Sequence, residues 1–407
     1  MYAACVRLFP FGNAVCVKKK MSSTKEKLLE LFAEQNGLPL SGTEAAEKIG
    51  VSRTAVWKAV ESLRKNGYPV TGSTNKGYVF KDGHDFLNAA RITSLLSPLA
   101  FSLCSGKIKV FKTIDSTNTE AKRKLSCADA DRQALHGAVF IAEHQSAGRG
   151  RMGRSFYSPE RSGIYLSIVY VPDDGKSDAY TQNPPPEPEN GKDGATGAAQ
   201  SARAQAPDTS LLTALAASAV CRALDCFGVQ SQIKWVNDIF VRGKKVCGIL
   251  TEGIVNMERR TVDAVVVGIG INVKTGKDGF PEELRHIAGS LIPEQDKKIL
   301  PSAPAAAANA ALVIDRNELA AAVISELLGA FSGNTPFVTL MQEYKKRSLI
   351  LGKKICVASE QGEYTALAVD ITDEAHLIVE TENKEQKELL SGEVRIGNLK
   401  QASILLY

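Results

Sequence analysis

Along this chain the spacing of apolar residues changes character three times, so no single layer of structure can bury them all. Residues 23–66 carry them at helical period: Ser23 with Glu26 reads as a capping box, and Leu28, Leu31, Phe32 and Gln35 follow at helical spacing. From Ile108 to Val273 short apolar runs at 109–111, 138–142, 165–170, 247–251 and 264–271 alternate with helical segments near 118–125 and 211–227. That alternation predicts an α/β domain. A helix over 318–331 leads to short alternating runs from Lys353 to Leu406, which suggest a small barrel. At 407 residues the chain is long enough for two or three cores of roughly 100–200 residues each.

Two stretches interrupt the pattern. From Asp173 to Asp208 the chain is Pro, Gly, Ala, Ser, Asn and charge, with Tyr180 its only aromatic, too little apolar area to offset the entropy of ordering. It is read as a disordered insertion at 173–208, and the alanine–proline run 301–311 as a smaller one; both lengthen loops of an existing scaffold. Basic residues number 50 against 45 acidic, a net charge of +5. So small an excess confines any nucleic-acid site to a local patch. The eight cysteines (Cys5, Cys16, Cys104, Cys127, Cys221, Cys226, Cys247, Cys356) include no C-x-x-C pair and no histidine at metal-ligand spacing, and read as reduced thiols of a cytoplasmic protein. No apolar run approaches the roughly 18 residues needed to span a bilayer, so no membrane role is expected. Lys18-Lys19-Lys20 follows the apolar residues at the front, the reverse of a secretory signal. Residues 1–21 are read as an extension, with Met21 the start of the working protein.

Within residues 22–82 the order of elements is specific. A short helix from Thr43 to Ile49, Gly50 for a sharp turn, Ser52 as N-cap and a second helix from Arg53 to Asn66 make a helix-turn-helix. Val56, Ala59, Val60 and Leu63 share the inner face, leaving Arg53, Thr54, Trp57, Lys58 and Arg64 outside as groove and phosphate contacts. Val70, Gly72, Tyr78 and Phe80 flank a tip, 73–77, that carries Lys76, which predicts a β-hairpin wing. Glu44, Glu47 and Glu61 offset part of the positive charge, so a solvated basic face is the plain alternative to DNA binding.

Three clusters carry chemistry. Asp115-Ser116-Thr117-Asn118 stands at a strand-to-helix junction, where it serves either as a helix cap or as a set of donors and acceptors for a neutral polar ligand. Gln145-Ser146-Ala147-Gly148-Arg149-Gly150-Arg151-Met152-Gly153-Arg154 combines glycines that admit a close ligand with arginines that fork onto phosphate. On its own chemistry it fits an anion-closing lid or an arginine-rich nucleic-acid segment equally. The third cluster, Lys234-Trp235-Val236-Asn237-Asp238, supplies an ammonium and two polar or magnesium ligands, and Gly268-Ile269-Gly270-Ile271-Asn272 lets backbone approach a ligand at a strand end. Taken alone, Asp238 is an ordinary turn residue.

In this order the S-T-N, Q-x-A-G-R-G-R-x-G-R, K-W-x-N-D and G-x-G-x-N motifs resemble the biotin–protein ligase family, and with the winged helix in front the chain resembles its bifunctional ligase/biotin operon repressor branch. The resemblance covers about 24–80, 107–170, 210–275 and, more weakly, 318–407. It implies three parts: a winged helix-turn-helix, a catalytic domain of the biotin/lipoate ligase type over 95–345, and an SH3-like β-barrel over 346–407. It also implies a reaction. Biotin and ATP form biotinyl-5′-AMP, and a lysine of a biotin carboxyl carrier domain then displaces AMP. By the same resemblance Ser116, Thr117, Asn118 and Gln145 hold the ureido ring, backbone of Arg149, Gly150 and Arg151 encloses the ligand, and Lys234 reaches the carboxyl and α-phosphate. Asn272 matches an adenine contact and Phe156 falls where the family's repressor has a tryptophan that stacks on adenine. Arg149, Arg151 and Lys234 are the expected catalytic cations, Mg2+ is implied on the triphosphate with Asp238 as its partner, and ligand binding is expected to favour a homodimer on operator DNA. Val236 departs from the family's usual proline. A lipoate–protein ligase and a DNA-binding biotin sensor without ligase activity are the rival readings.

Overall fold

The computed structural model describes residues 24–35, 38–65, 68, 70–73, 76–80, 86–127, 131–172, 209–256, 261–292, 314–359 and 362–396. The expected extension at 1–21, the capping residue Ser23, both insertions and the tail 397–407 lie outside them.

At the front, α1 (Thr24–Glu34), α2 (Gly42–Ile49) and α3 (Arg53–Lys65) pack around Leu28, Phe32, Val56, Val60 and Leu63. Their ends are set by local chemistry. Ser41 caps α2 by accepting from Glu44 N at 3.0 Å, Gly50 ends it with φ 77°, and Ser52 Oγ accepts from Ala55 N at 3.2 Å to start α3. The wing is β1 (Val70–Ser73) against β2 (Gly77–Phe80), antiparallel from Val70↔Phe80 to Ser73↔Gly77. Arg64 corrects one expectation. Instead of facing outward it binds the chain to itself, Nε donating to Val70 O at 2.9 Å and Nη2 to Gly72 O at 2.6 Å, while Nη1 reaches Glu61 Oε1 at 2.6 Å. It fastens the second helix to the wing.

Short helices α4 (Ala89–Ser94) and α5 (Pro98–Cys104) follow, then the elements of the central domain: β3 (Ile108–Ile114), α6 (Thr117–Leu125), β4 (Val139–Gln145), β5 (Gly163–Tyr170), α7 (Ser210–Asp225), β6 (Gln232–Lys234), β7 (Asp238–Val241), β8 (Lys244–Asn256), β9 (Thr261–Asn272), α8 (Arg316–Phe331) and α9 (Phe337–Lys346). The strands form one sheet in the order β3-β4-β5-β9-β8-β7-β6, with β3 parallel to β4 and the other pairs antiparallel. Alternation along the strands serves both faces. Val139 and Ile141, Ile164, Leu166 and Ile168, and Val265, Val267 and Ile269 face α5, α7, α8 and α9, whereas Phe140, Val169 and Val266 meet α6. β5 is buried along its whole length because it is central and covered on both sides. Each buried Val, Leu, Ile or Phe side chain of these strands contributes about 1.5–3 kcal/mol by leaving water.

The C-terminal strands β10 (Lys354–Ser359), β11 (Gly362–Ile371), β12 (Leu377–Thr381), β13 (Gln386–Leu389) and β14 (Glu393–Ile396) form an antiparallel sheet in the order β13-β12-β11-β10-β14. Among the described residues this sheet is open, which is the form the expected barrel takes. Its apolar face, with Ile355, Val357, Ala368 and Val379, continues the core of the central domain, and Trp235 Nε1 donates to Ala375 O at 2.8 Å across the boundary. No helix among the described residues is long and apolar enough to cross a membrane.

Candidate active site

Strand β4 ends at Gln145 and hands the chain to the arginine–glycine loop, which folds back on itself. Gly150 N donates to Arg154 O at 2.7 Å, Phe156 N donates to Gly148 O at 2.9 Å, and Arg149 pairs with Ser155. Gly148 has to be glycine, since a Cβ there would run into the Phe156 carbonyl. Within the hairpin Met152 adopts φ 55° and is 78% exposed at its tip.

This hairpin overhangs a cavity of about 390 Å3 in which the sequence clusters converge. Ser116, Thr117, Asn118 and Gln145 line one part of it, Arg149, Gly150, Arg151 and Phe156 come from the hairpin, and Lys234, Asp238 and Asn272 come from β6, β7 and β9. The candidate DNA residues Arg53, Thr54, Trp57 and Lys58 lie elsewhere, exposed on α3, with Lys76 exposed at the wing.

Each group has a definite setting. Ser116, at the N-cap position of α6, makes no side-chain cap bond, so the plain cap reading does not describe its hydroxyl. Thr117 donates from N to Gln145 Oε1 at 2.9 Å, and Gln145 Nε2 donates in turn to Ser158 Oγ at 2.9 Å. The floor is built on glycines. A Cβ on Gly270 would collide with the Phe156 ring and one on Gly268 with the Asn118 amide, so the two motif glycines make room for one aromatic and one polar side chain.

Arg151 Nη1 lies 3.3 Å from Asn237 Oδ1, and Arg149 Nη2 lies 3.3 Å from Glu252 Oε1. Asp238 faces Lys245, whose ammonium is 2.7 Å from Oδ1 but out of line for a hydrogen bond. Lys234 has no salt-bridge partner among the described residues. Burial pushes its ammonium below the ordinary lysine range; Asp238 opposes that shift and Lys245 adds to it. The peptide bond between Trp235 and Val236 is cis.

Several contributors carried no sequence signal. Lys245 and Glu252 lie on β8, and Phe280, Leu284 and His286 reach the cavity from the segment after β9. Glu393, on β14, accepts from Arg154 Nη2 at 2.6 Å and so brings the C-terminal sheet to the hairpin. Only packing between distant segments places them there.

Comparison with known proteins agrees with this layout. Residues 24–79 match the HTH domain family, 110–181 and 198–272 the biotin/lipoate A/B protein ligase family, and 350–397 the biotin protein ligase C-terminal domain. Over 386 residues the chain is 31% identical to the bifunctional ligase/repressor BirA of Bacillus subtilis, covering 92% of this chain and 99% of that one. It belongs to the bifunctional ligase/repressor family of biotin protein ligases. A further member of that family, BirA of Escherichia coli, is 29% identical over 306 residues, 75% of each chain. The biotin protein ligase of Aquifex aeolicus, solved with biotin and ATP, shares the fold at a TM-score of 0.50 and 23% identity, over 72% of this chain and 99% of its own.

Proposed function

We propose that this family member is an ATP-dependent biotin–protein ligase that also represses transcription. One observation carries the catalytic part: a single cavity unites a hydrogen-bonding corner for a neutral ring, the aromatic Phe156 with Asn272, and the cations Arg149, Arg151 and Lys234. In the first half-reaction the biotin carboxylate attacks the α-phosphate of ATP, biotinyl-5′-AMP forms and pyrophosphate leaves. Two anions must be brought together, so the work of the protein is charge stabilisation in a site that excludes water. Lys234 and Arg151 are assigned to the carboxylate and α-phosphate, Arg149 with backbone of Gly150 to enclosing them, Phe156 and Asn272 to adenine, and Ser116, Thr117, Asn118 and Gln145 to the ureido ring. In the second half-reaction a lysine amine of a biotin carboxyl carrier domain attacks the acyl carbon, forms the amide and expels AMP.

No group of three His, Cys, Asp or Glu side chains able to hold a metal occurs among the described residues. Asp238 Oδ1 is buried, makes no hydrogen bond and has only the Lys245 ammonium beside it, so it would have to exchange that ion pair to lend one oxygen to Mg2+, which would neutralise phosphate charge there. The dependence on ATP supports a cytoplasmic location. For repression, the exposed Arg53, Thr54, Trp57 and Lys58 of α3 would read operator DNA, with Lys76 of the wing on its backbone, and biotinyl-5′-AMP would favour a homodimer. The deciding experiment is incubation with ATP, a carboxyl carrier domain and labelled biotin or lipoate, read by mass. Biotin alone should be transferred; transfer of lipoate, or of neither, refutes the assignment.

A further inference from the structure

Beneath the cavity the polar side chains are joined in a closed circuit. Arg149 Nη2 is 3.3 Å from Glu252 Oε1, and Asn118 Nδ2 donates to Glu252 Oε2 at 2.8 Å. Ser167, fully buried on β5, donates to Asn118 Oδ1 at 2.6 Å and touches Thr117 Oγ1 at 2.7 Å. Thr117 leads to Gln145, Gln145 to Ser158, and Ser158 Oγ donates to Phe156 O at 3.0 Å, back on the hairpin. Both ends of the arginine–glycine hairpin are thus tied to the corner assigned to the ureido ring.

Glu252 has a second cation that makes it more than a brace. Lys122 Nζ lies 2.7 Å from the same Oε1, closer than Arg149. The three side chains also differ in exposure, with Arg149 at 46%, Lys122 at 27% and Glu252 at 18%. A half-buried carboxylate that lost its only cation would be strongly penalised. Here Lys122 stays behind, so Arg149 can leave for an incoming anion without stranding Glu252. The arrangement holds the arginine in place and lets it go at small cost.

From this geometry we propose that Glu252 is a positioning residue for the arginine–glycine hairpin, a latch that holds Arg149 at the cavity rim and, through Asn118, couples its position to filling of the ureido corner. This rests on the ligase reading for its ligand but not for the latch itself. Glu252→Gln should loosen the hairpin, because Arg149 loses its carboxylate. Lys122→Met should tighten it, because Glu252 then depends on Arg149 alone. A merely structural role would move both variants the same way.

The test is limited trypsin digestion of the full chain without ligand, following cleavage after Arg149, Arg151 and Arg154 relative to cleavage elsewhere. Cleavage in the hairpin is expected to rise about tenfold in Glu252→Gln and to fall in Lys122→Met; rates that shift together, or do not shift, overturn the latch. Steady-state kinetics then read the coupling. Glu252→Gln should raise KM for biotin about tenfold, equivalent to about 1.4 kcal/mol, with kcat within twofold. An unchanged KM, or a loss confined to kcat, overturns the coupling to Asn118. If the native chain forms no biotinyl adenylate, the ligase reading fails, while the opposite cleavage shifts still decide the latch.

Discussion

At the scale of single residues the proposed chemistry turns on Lys234, a buried lysine that lines the cavity. Burial lowers its pKa from the ordinary 10.5, so the charged form carries a stability cost below the lowered pKa, and that cost is relieved as pH rises through it. The catalytic role proposed for Lys234 needs the charged form. As pH rises through the lowered value the cation is lost, so kcat/KM for adenylate formation should fall on an alkaline limb that lies below pH 10.5. In Lys234→Arg the limb should disappear, at a lower plateau, because a guanidinium does not titrate in this range. Pyrophosphate release measured against pH checks this; an identical limb in both proteins assigns it to another group. Residue types were legible here without coordinates. Arg149, Arg151 and Lys234 are the cations the sequence offers for an acyl-phosphate chemistry, and all three line the cavity, whereas nothing in a sequence marks Lys245 as the neighbour of Asp238.

Among the elements, the junction of β4 with α8 shows what periodicity cannot reveal. Glu143 on β4 and Arg316 at the start of α8 are 173 positions apart, yet their side chains meet at 2.8 Å, both almost wholly buried. Arg316 also donates to Gly163 O at 2.9 Å, and Glu143 accepts from Leu87 N at 2.7 Å. Next to it Asn317 donates to Phe86 O and accepts from Asn88 N. The segment joining the winged helix to the central domain is therefore clamped two residues from Gln145 of the cavity. Arg316→Met should leave Glu143 buried without its cation and lower stability by about 3–5 kcal/mol. The double variant Glu143→Gln/Arg316→Met should recover much of that. Urea unfolding measures both; equal midpoints for native chain and Arg316→Met would remove the clamp from the account. The long helices α7 and α8 and the strands β3, β4, β5, β8 and β9 were visible from apolar spacing, with their ends off by up to about five residues. The helices α4, α5 and α9 were not; α4 and α5 are two turns or less, too few residues to establish a period.

For the whole molecule, the outward face of α3 and the cavity lie on separate domains, so any dependence of DNA binding on ligand has to pass through assembly or through the clamped junction. Gel shifts on a biotin-gene operator with ATP alone, biotin alone and both together test the proposed coupling. Retardation should be strong only with both, since only then does biotinyl-5′-AMP form; equal retardation in all three would refute it. Local patterns settled the three-part order of the chain, the helix-turn-helix with its Ser52 cap and Gly50 turn, and the motif residues that carry charge or avoid a side chain, because these follow from the chemistry of neighbours along the chain. Tertiary structure alone decided that Arg64 belongs to the wing, that Glu252 and Ser167 tie the arginine–glycine hairpin to the S-T-N corner, and that Glu393 meets Arg154 from another domain. Those pairings depend on how separate strands register and pack, and a contact between residues far apart in sequence leaves no periodic trace in either segment.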